Sequence, residues 1–264
     1  MGEAIVITSG KGGVGKTTTS ANLGTALALL GKKVCMVDTD IGLRNLDVVM
    51  GLENRIIYDL IDVAEGRCRL NQAMIKDKRF DDLYLIPAAQ TKDKNDITPE
   101  QVRNIVNSLK PDFDYVIIDC PAGIEQGFRN AIAGADKAIV VTTPDNSAVR
   151  DADRVIGLLE KTHIGTPKLI INRIRPHLVK SGDMLSVDEI CQVLAVDLLG
   201  IVPDDEHVIK AASAGEPTVM NPSSRASIAY RNIARRIIGE TVPLQQLNEK
   251  TGVFGRFKKF LGMG

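Results

Sequence analysis

Seven short, almost unbroken apolar runs recur along the chain. They are residues 3–9 (EAIVITS), 32–40 (KKVCMVDTD), 82–88 (DLYLIPA), 114–121 (DYVIIDCP), 137–144 (KAIVVTTP), 167–173 (PKLIINR) and 198–204 (LLGIVPD). Rich in Val and Ile and without polar alternation, they have the pattern of strands covered on both faces of a parallel sheet. Between them lie segments of helical length and period, over 17–30, 100–109, 147–161, 186–195 and 223–238. Strands alternating with helices predict a doubly wound α/β fold, its sheet mostly parallel and its crossovers right-handed. No repeat or linker interrupts the pattern before residue 240, so residues 1–240 read as one domain.

Several of these strands end on polar side chains: Asp38 and Asp40, Asp119, Asn172 and Asp204. Ligands of open α/β sheets gather at the carboxyl ends of the strands, so the chemistry is expected there. After the first strand comes GKGGVGKT, residues 10–17, a match to G-x-x-x-x-G-K-[ST] with a strand before it and a helix after it. Gly10, Gly12, Gly13 and Gly15, with Val14, let backbone N–H groups close around phosphates at a helix start, where the dipole favours anions. Lys16 is expected to reach the β- and γ-phosphates of ATP and the Thr17 hydroxyl to ligate Mg²⁺, with Thr18 on the first helical turn. Lys11 has no such assignment. A glycine loop turns without a second lysine, and on residue chemistry alone Lys11 is either a surface lysine or a phosphate contact.

Composition narrows the partners. The 264 residues carry 33 basic and 33 acidic side chains, so no global field attracts nucleic acid. Cys35, Cys68, Cys120 and Cys191 are far apart and form no C-x-x-C pair, which suits a reducing compartment. The first residues carry no basic, cleavable apolar leader, and no run approaches the roughly 20 apolar residues that cross a bilayer. A cytoplasmic location is expected, or one on the cytoplasmic face of the cell membrane.

SGKGGVGKTTTSANLGTALA, VDTDIGLRNLDVVMGLE and DYVIIDCPAGIE together resemble the septum-site branch of the MinD/ParA class of deviant Walker A P-loop ATPases, and the resemblance spans essentially the whole chain. It implies an ATP-dependent dimerisation switch with slow, partner-regulated hydrolysis. In that class the counterpart of Lys11 reaches across a homodimer to the partner's phosphates. Asp40 resembles the switch I carboxylate that positions the attacking water, the kind of placement that phosphoryl transfer requires. Asp38 either supports Asp40, binds Mg²⁺ through water, or caps a turn. Asp119 ends an apolar strand, where an unpaired carboxylate is costly, and a Mg²⁺ shell resolves that cost. Pro121 and Gly123 resemble switch II. Asn172 matches the family's adenine contact or caps a strand end, with Arg173 beside the base. Ser147, taken as a helix cap, falls with Arg150, Asp151 and Asp153 either on the docking face for a MinC-like division inhibitor or on a merely solvated helix face. A MinE-like regulator or a static polar anchor is implied as a further partner. A partitioning ATPase that binds DNA shares the nucleotide site but lacks support from the neutral charge.

Three of the six Phe lie in the last thirteen residues, GVFGRFKKFLGMG. On a helix of ~100° per residue, Val253, Phe254, Phe257, Phe260 and Leu261 fall within an arc of ~120°, with Arg256, Lys258 and Lys259 outside it. That is the pattern of a basic amphipathic helix lying on anionic lipid, and residues 241–251 read as its tether. Half-burying five large apolar side chains gains about 5 kcal/mol, and each basic residue adds about 1 kcal/mol. Ordering ten residues costs on the order of 10 kcal/mol. One tail is therefore a marginal anchor, and two tails on a dimer bind with avidity.

Overall fold

The computed structural model describes residues 1–244; the expected tail helix over 252–264 lies outside them. Among the described residues eight strands form one sheet: β1 (Glu3–Thr8), β2 (Val34–Asp38), β3 (Ile75–Lys76), β4 (Leu83–Ile86), β5 (Tyr115–Asp119), β6 (Lys137–Thr142), β7 (Lys168–Ile174) and β8 (Leu198–Pro203). Their order is β3-β4-β2-β5-β1-β6-β7-β8. All seven predicted strands are present and run parallel. The eighth, β3, was not predicted; it pairs antiparallel with β4 at one edge through two residues.

Along β1, Ala4 and Val6 face one side of the sheet and Ile5 and Ile7 the other, as strand alternation requires. Helices cover both faces. Over one face lie α1 (Lys16–Leu29), α2 (Leu46–Val49) and, near the end of the described chain, α11 (Arg225–Ile237). Over the other lie α3 (Leu60–Ala64), α4 (Leu70–Ala73), α5 (Pro99–Leu109), α6 (Gln126–Ile132), α7 (Asn146–Leu159) and α9 (Val187–Leu194). The short α8 (Pro176–Ser181) and α10 (Glu206–Ser213) follow β7 and β8. Helix α1 is buried almost all round, from Thr19 to Leu27, because α11 packs across its outer side.

The chain leaves β1 toward β2 on one side and returns through β5 to β6 on the other. That reversal opens a crevice at the carboxyl ends of β1, β5 and β6, where an α/β sheet binds its ligand.

Candidate nucleotide site

The loop after β1 owes its shape to two glycines. Gly13 has φ 79° and Gly15 φ 97°, left-handed values that a side chain rarely accepts. Gly15 is the N-cap of α1 and makes no side-chain cap, so the first N–H groups of this helix face the crevice. A Cβ built on Gly15 lies 2.4 Å from Nδ2 of Asn172. Gly12 and Gly13 are exposed at the rim, and Lys16 is 7% exposed, drawn down beside the strand ends.

Beneath the loop two carboxylates end neighbouring strands. Asp38 and Asp119 are register partners across β2 and β5, and both are buried. Burial raises the Asp119 pKa to about 6, against hydrogen bonds from Ser20 and Thr17 and the charge of Lys16. The Ser20 Oγ donates to Asp119 Oδ1 at 2.7 Å. Asp38 is held well above the usual carboxylate range by burial and then by repulsion from Asp119. Its own oxygens accept from the backbone N–H of Asp40 (2.9 Å) and of Leu46 (3.2 Å). Of the readings open for Asp38, the structure thus supplies the turn cap directly, and that cap fixes the loop carrying Asp40. Asp40 is half-buried; burial raises its pKa, and Lys16 and Lys94 pull it back down, which places it in the field of the loop lysine.

Asn172 ends the regular part of β7 and is buried. Its Nδ2 donates to the Val14 carbonyl at 2.8 Å, and its Oδ1 accepts from the Arg173 N–H at 2.9 Å. The side chain therefore ties β7 to the glycine loop, and by count one N–H and one lone pair remain for a further partner. Arg173 has φ 57°, strained for a residue with a Cβ, within a stretch where β7 and β8 slip register. A cavity of about 260 Å³ opens here, lined by Thr18, Asn172, Arg173, Pro203, Val208 and Tyr230. The buried Tyr230 hydroxyl lies 3.2 Å from Thr19 Oγ1 and forms part of the floor. A cavity of about 720 Å³ adjoins it past Arg175 and Asp204.

Asp205 builds the wall between these cavities. It caps α10 through the His207 N–H and also accepts from Ser224 Oγ and the Ala226 N–H, joining α10 to the start of α11. Burial acts to raise its pKa, but these hydrogen bonds outweigh it and hold the carboxyl well below the usual range. Asp205→Ala is expected to lower stability by about 2 kcal/mol, seen as a melting point roughly 4–8 °C lower at neutral pH. A depressed carboxylate stabilises above its unfolded pKa of about 3.9 and loses that contribution as pH falls below it. The difference between variant and parent therefore shrinks in acid.

Lys11, on the rim, is half-exposed and donates to Ser147 Oγ at 2.5 Å, with Asp145 Oδ1 3.6 Å away. Ser147 is not the cap of α7. Asp145 takes that position and accepts from the Ala148 N–H, while Ser147, already inside the first turn, donates its hydroxyl back to Asp145 Oδ1 at 3.1 Å. Arg150 and Asp153 are exposed on the same helix and Asp151 is half-buried, its carbonyl backing Gly10. Pro121 packs on Gly127, and Gly123 has φ 94°, next to Ala122, whose Cβ lies 3.8 Å from a Cβ built on Gly12. Ser20, Lys94, Tyr230 and Thr39, whose Oγ1 donates to the Asp119 carbonyl at 2.6 Å, are not among the residues that the sequence singles out. Ser20 alone carried a local signal, lying one helical turn after Lys16.

Residues 5–219 match the model of the CobQ/CobB/MinD/ParA nucleotide binding domain. The septum site-determining protein MinD of Bacillus subtilis is 71% identical, over 100% of this chain and 99% of that protein. Among solved structures, the MinC:MinD cell division complex of Aquifex aeolicus superposes with a TM-score of 0.85 at 49% identity, over 94% of this chain and 100% of that one. The septum site-determining MinD of Pyrococcus horikoshii, complexed with Mg-ADP, superposes at 0.82 with 32% identity, over 90% and 97%. A glycine cradle at a topological switch point, a buried lysine over paired carboxylates and likeness along its whole length together establish that this chain belongs to the CobQ/CobB/MinD/ParA nucleotide-binding family, within its septum site-determining MinD branch.

Proposed function

We propose that the protein is an ATP-dependent dimerising ATPase, recruited to the membrane, that places a cell-division inhibitor and so selects the division site. The observation that carries this reading is the second loop lysine, Lys11, held at the rim of a cradle that already has Lys16 within it. A lysine turned to Ser147 and Asp145 on the rim, rather than into the cradle, is well placed to meet a second copy.

The residues present suit Mg-ATP. Asp38 and Asp119 are paired and buried, and burial raises the pKa of both. Such a pair favours a dication nearby over two bare charges. Thr17 would hold Mg²⁺ directly, with Asp38 and Asp119 acting through water. When bound, the ion neutralises phosphate charge. The amides of residues 10–17 and the Lys16 ammonium bind and orient the phosphates, and Asn172 and Arg173 bound the adenine. Asp40 orients the attacking water, and Gly123 turns its amide toward the γ-phosphate. Ser147, Arg150, Asp151 and Asp153 offer the face for a MinC-like inhibitor. A MinE-like regulator or a polar anchor protein completes the set.

The anchor is the tail, with Val253, Phe254, Phe257, Phe260 and Leu261 entering anionic lipid and Lys258 and Lys259 meeting headgroups. Sedimentation with anionic vesicles tests this. The full chain is expected to pellet with ATP and to stay in solution with ADP, and deletion of 252–264 is expected to abolish the difference. Equal pelleting of the deleted chain with ATP would rule out the tail as anchor. Retention on DNA without lipid binding would point to a partitioning ATPase instead.

A further inference from the structure

The loop that carries Asp40 is braced by an ion pair. Asp47, in the first turn of α2, is completely buried, and its oxygens find no partner better than the loosely aligned N–H groups of its own turn, those of Asp47 and Val48. Its counter-charge is the guanidinium of Arg44, with Nε 3.0 Å from Oδ2. Glu53 stands nearby as a like charge, its Oε2 also buried and unpartnered. A buried carboxylate with a single cation and no well-aligned hydrogen bond is an expensive way to stabilise a four-residue helix.

Arg44 is itself strained. Its φ is 47°, in the left-handed region, and this turn lets the N–H groups of Leu43 and Arg44 close on the Asp40 carbonyl at 3.2 and 3.1 Å. At the base of the loop, Asp38 binds the N–H groups of both Asp40 and Leu46. Behind it, Arg79 donates to the Met50 carbonyl at the end of α2 and to the Gly215 carbonyl after α10, so α2 cannot drift. Residues 40–46 are thus fixed at their two ends by Asp38 and on their strained side by Arg44 and Asp47.

We propose that the Arg44–Asp47 ion pair is a positioning latch: it enforces the left-handed turn at Arg44 and so fixes the direction of the Asp40 carboxylate during hydrolysis. Both residues act through Asp40. The inference rests on the reading of Asp40 as the carboxylate that orients water.

The test compares steady-state ATPase and fluorescent-ATP binding for Asp47→Asn, Arg44→Gln, Arg44→Gly and Asp40→Ala in the full chain. Glycine adopts positive φ without strain, so Arg44→Gly removes the ion pair but keeps the turn. Asp47→Asn and Arg44→Gln are expected to lower kcat about tenfold, with KM and nucleotide affinity within twofold. Arg44→Gly is expected to recover most of what Arg44→Gln loses. A pair that only stabilised α2 would lower the melting point of Arg44→Gln and Arg44→Gly alike and leave kcat untouched. That outcome, with Asp40→Ala inactive, overturns the latch while leaving the role of Asp40 intact. Full hydrolysis by Asp40→Ala overturns both. If Asp47→Asn does not fold, the order of the two Arg44 variants decides alone.

Discussion

Gly15→Ala is expected to abolish nucleotide binding, by at least 100-fold in affinity, in a chain that still folds. Two costs act together at this position. The φ of 97° lies outside the left-handed basin that L-residues can use, at a cost of about 1–2 kcal/mol. The new Cβ also meets Asn172 Nδ2 at 2.4 Å, and that nitrogen is the one holding the Val14 carbonyl. The methyl group and the Asn172–Val14 hydrogen bond cannot both be kept, so the amide swings away and leaves the Val14 carbonyl unheld, or the loop opens. An opened loop no longer aims its N–H groups at one point, and each factor of ten in affinity is about 1.4 kcal/mol. Gly13→Ala separates the two costs. It has φ 79° but nothing within 4 Å of the added carbon, so a loss of about tenfold is expected. Titration with a fluorescent ATP analogue measures both, and a thermal melt checks that the sheet is intact. Equal losses for the two variants would mean that strain alone, and not the contact with Asn172, sets the loop.

The contrast between what this sequence discloses and what it hides follows from distance along the chain. The strands are legible because burial on both faces leaves Val- and Ile-rich runs such as YVIID with no polar interruption. The glycine loop is legible because its function is set by covalently adjacent residues. β3 is not, since two residues at a sheet edge hold their place only through pairing with β4. Nor are α2, α3 and α4, each shorter than two turns and held by tertiary packing. In the site, Asp119 could be singled out as a charge at an apolar strand end. Its partner Ser20 is 99 residues away, and Tyr230 is 211 residues from Thr19. The double duty of Asn172 is hidden for the same reason. Its amide meets a carbonyl 158 residues earlier, and no local pattern records that.

The second large effect concerns Asp40. Asp40→Ala is expected to lower kcat by about 100-fold, a loss of about 2.7 kcal/mol of transition-state stabilisation, while ATP affinity holds or rises. The direction of the affinity change follows from charge. Asp40 acts on Asp119 as a like charge and stands in the field of Lys16, so its removal takes a negative charge away from the place a triphosphate must occupy. Hydrolysis suffers because what phosphoryl transfer needs from the protein is placement, and alanine places nothing. Binding without turnover leaves the ATP state without its exit, so vesicle-bound protein should persist after free ATP is removed, while the parent chain dissociates. Radiolabelled phosphate release and vesicle retention read the two halves separately. Loss of both binding and turnover would recast Asp40 as a brace for the cradle. Unchanged turnover would move the water-orienting role to another group at the ends of β2 and β5.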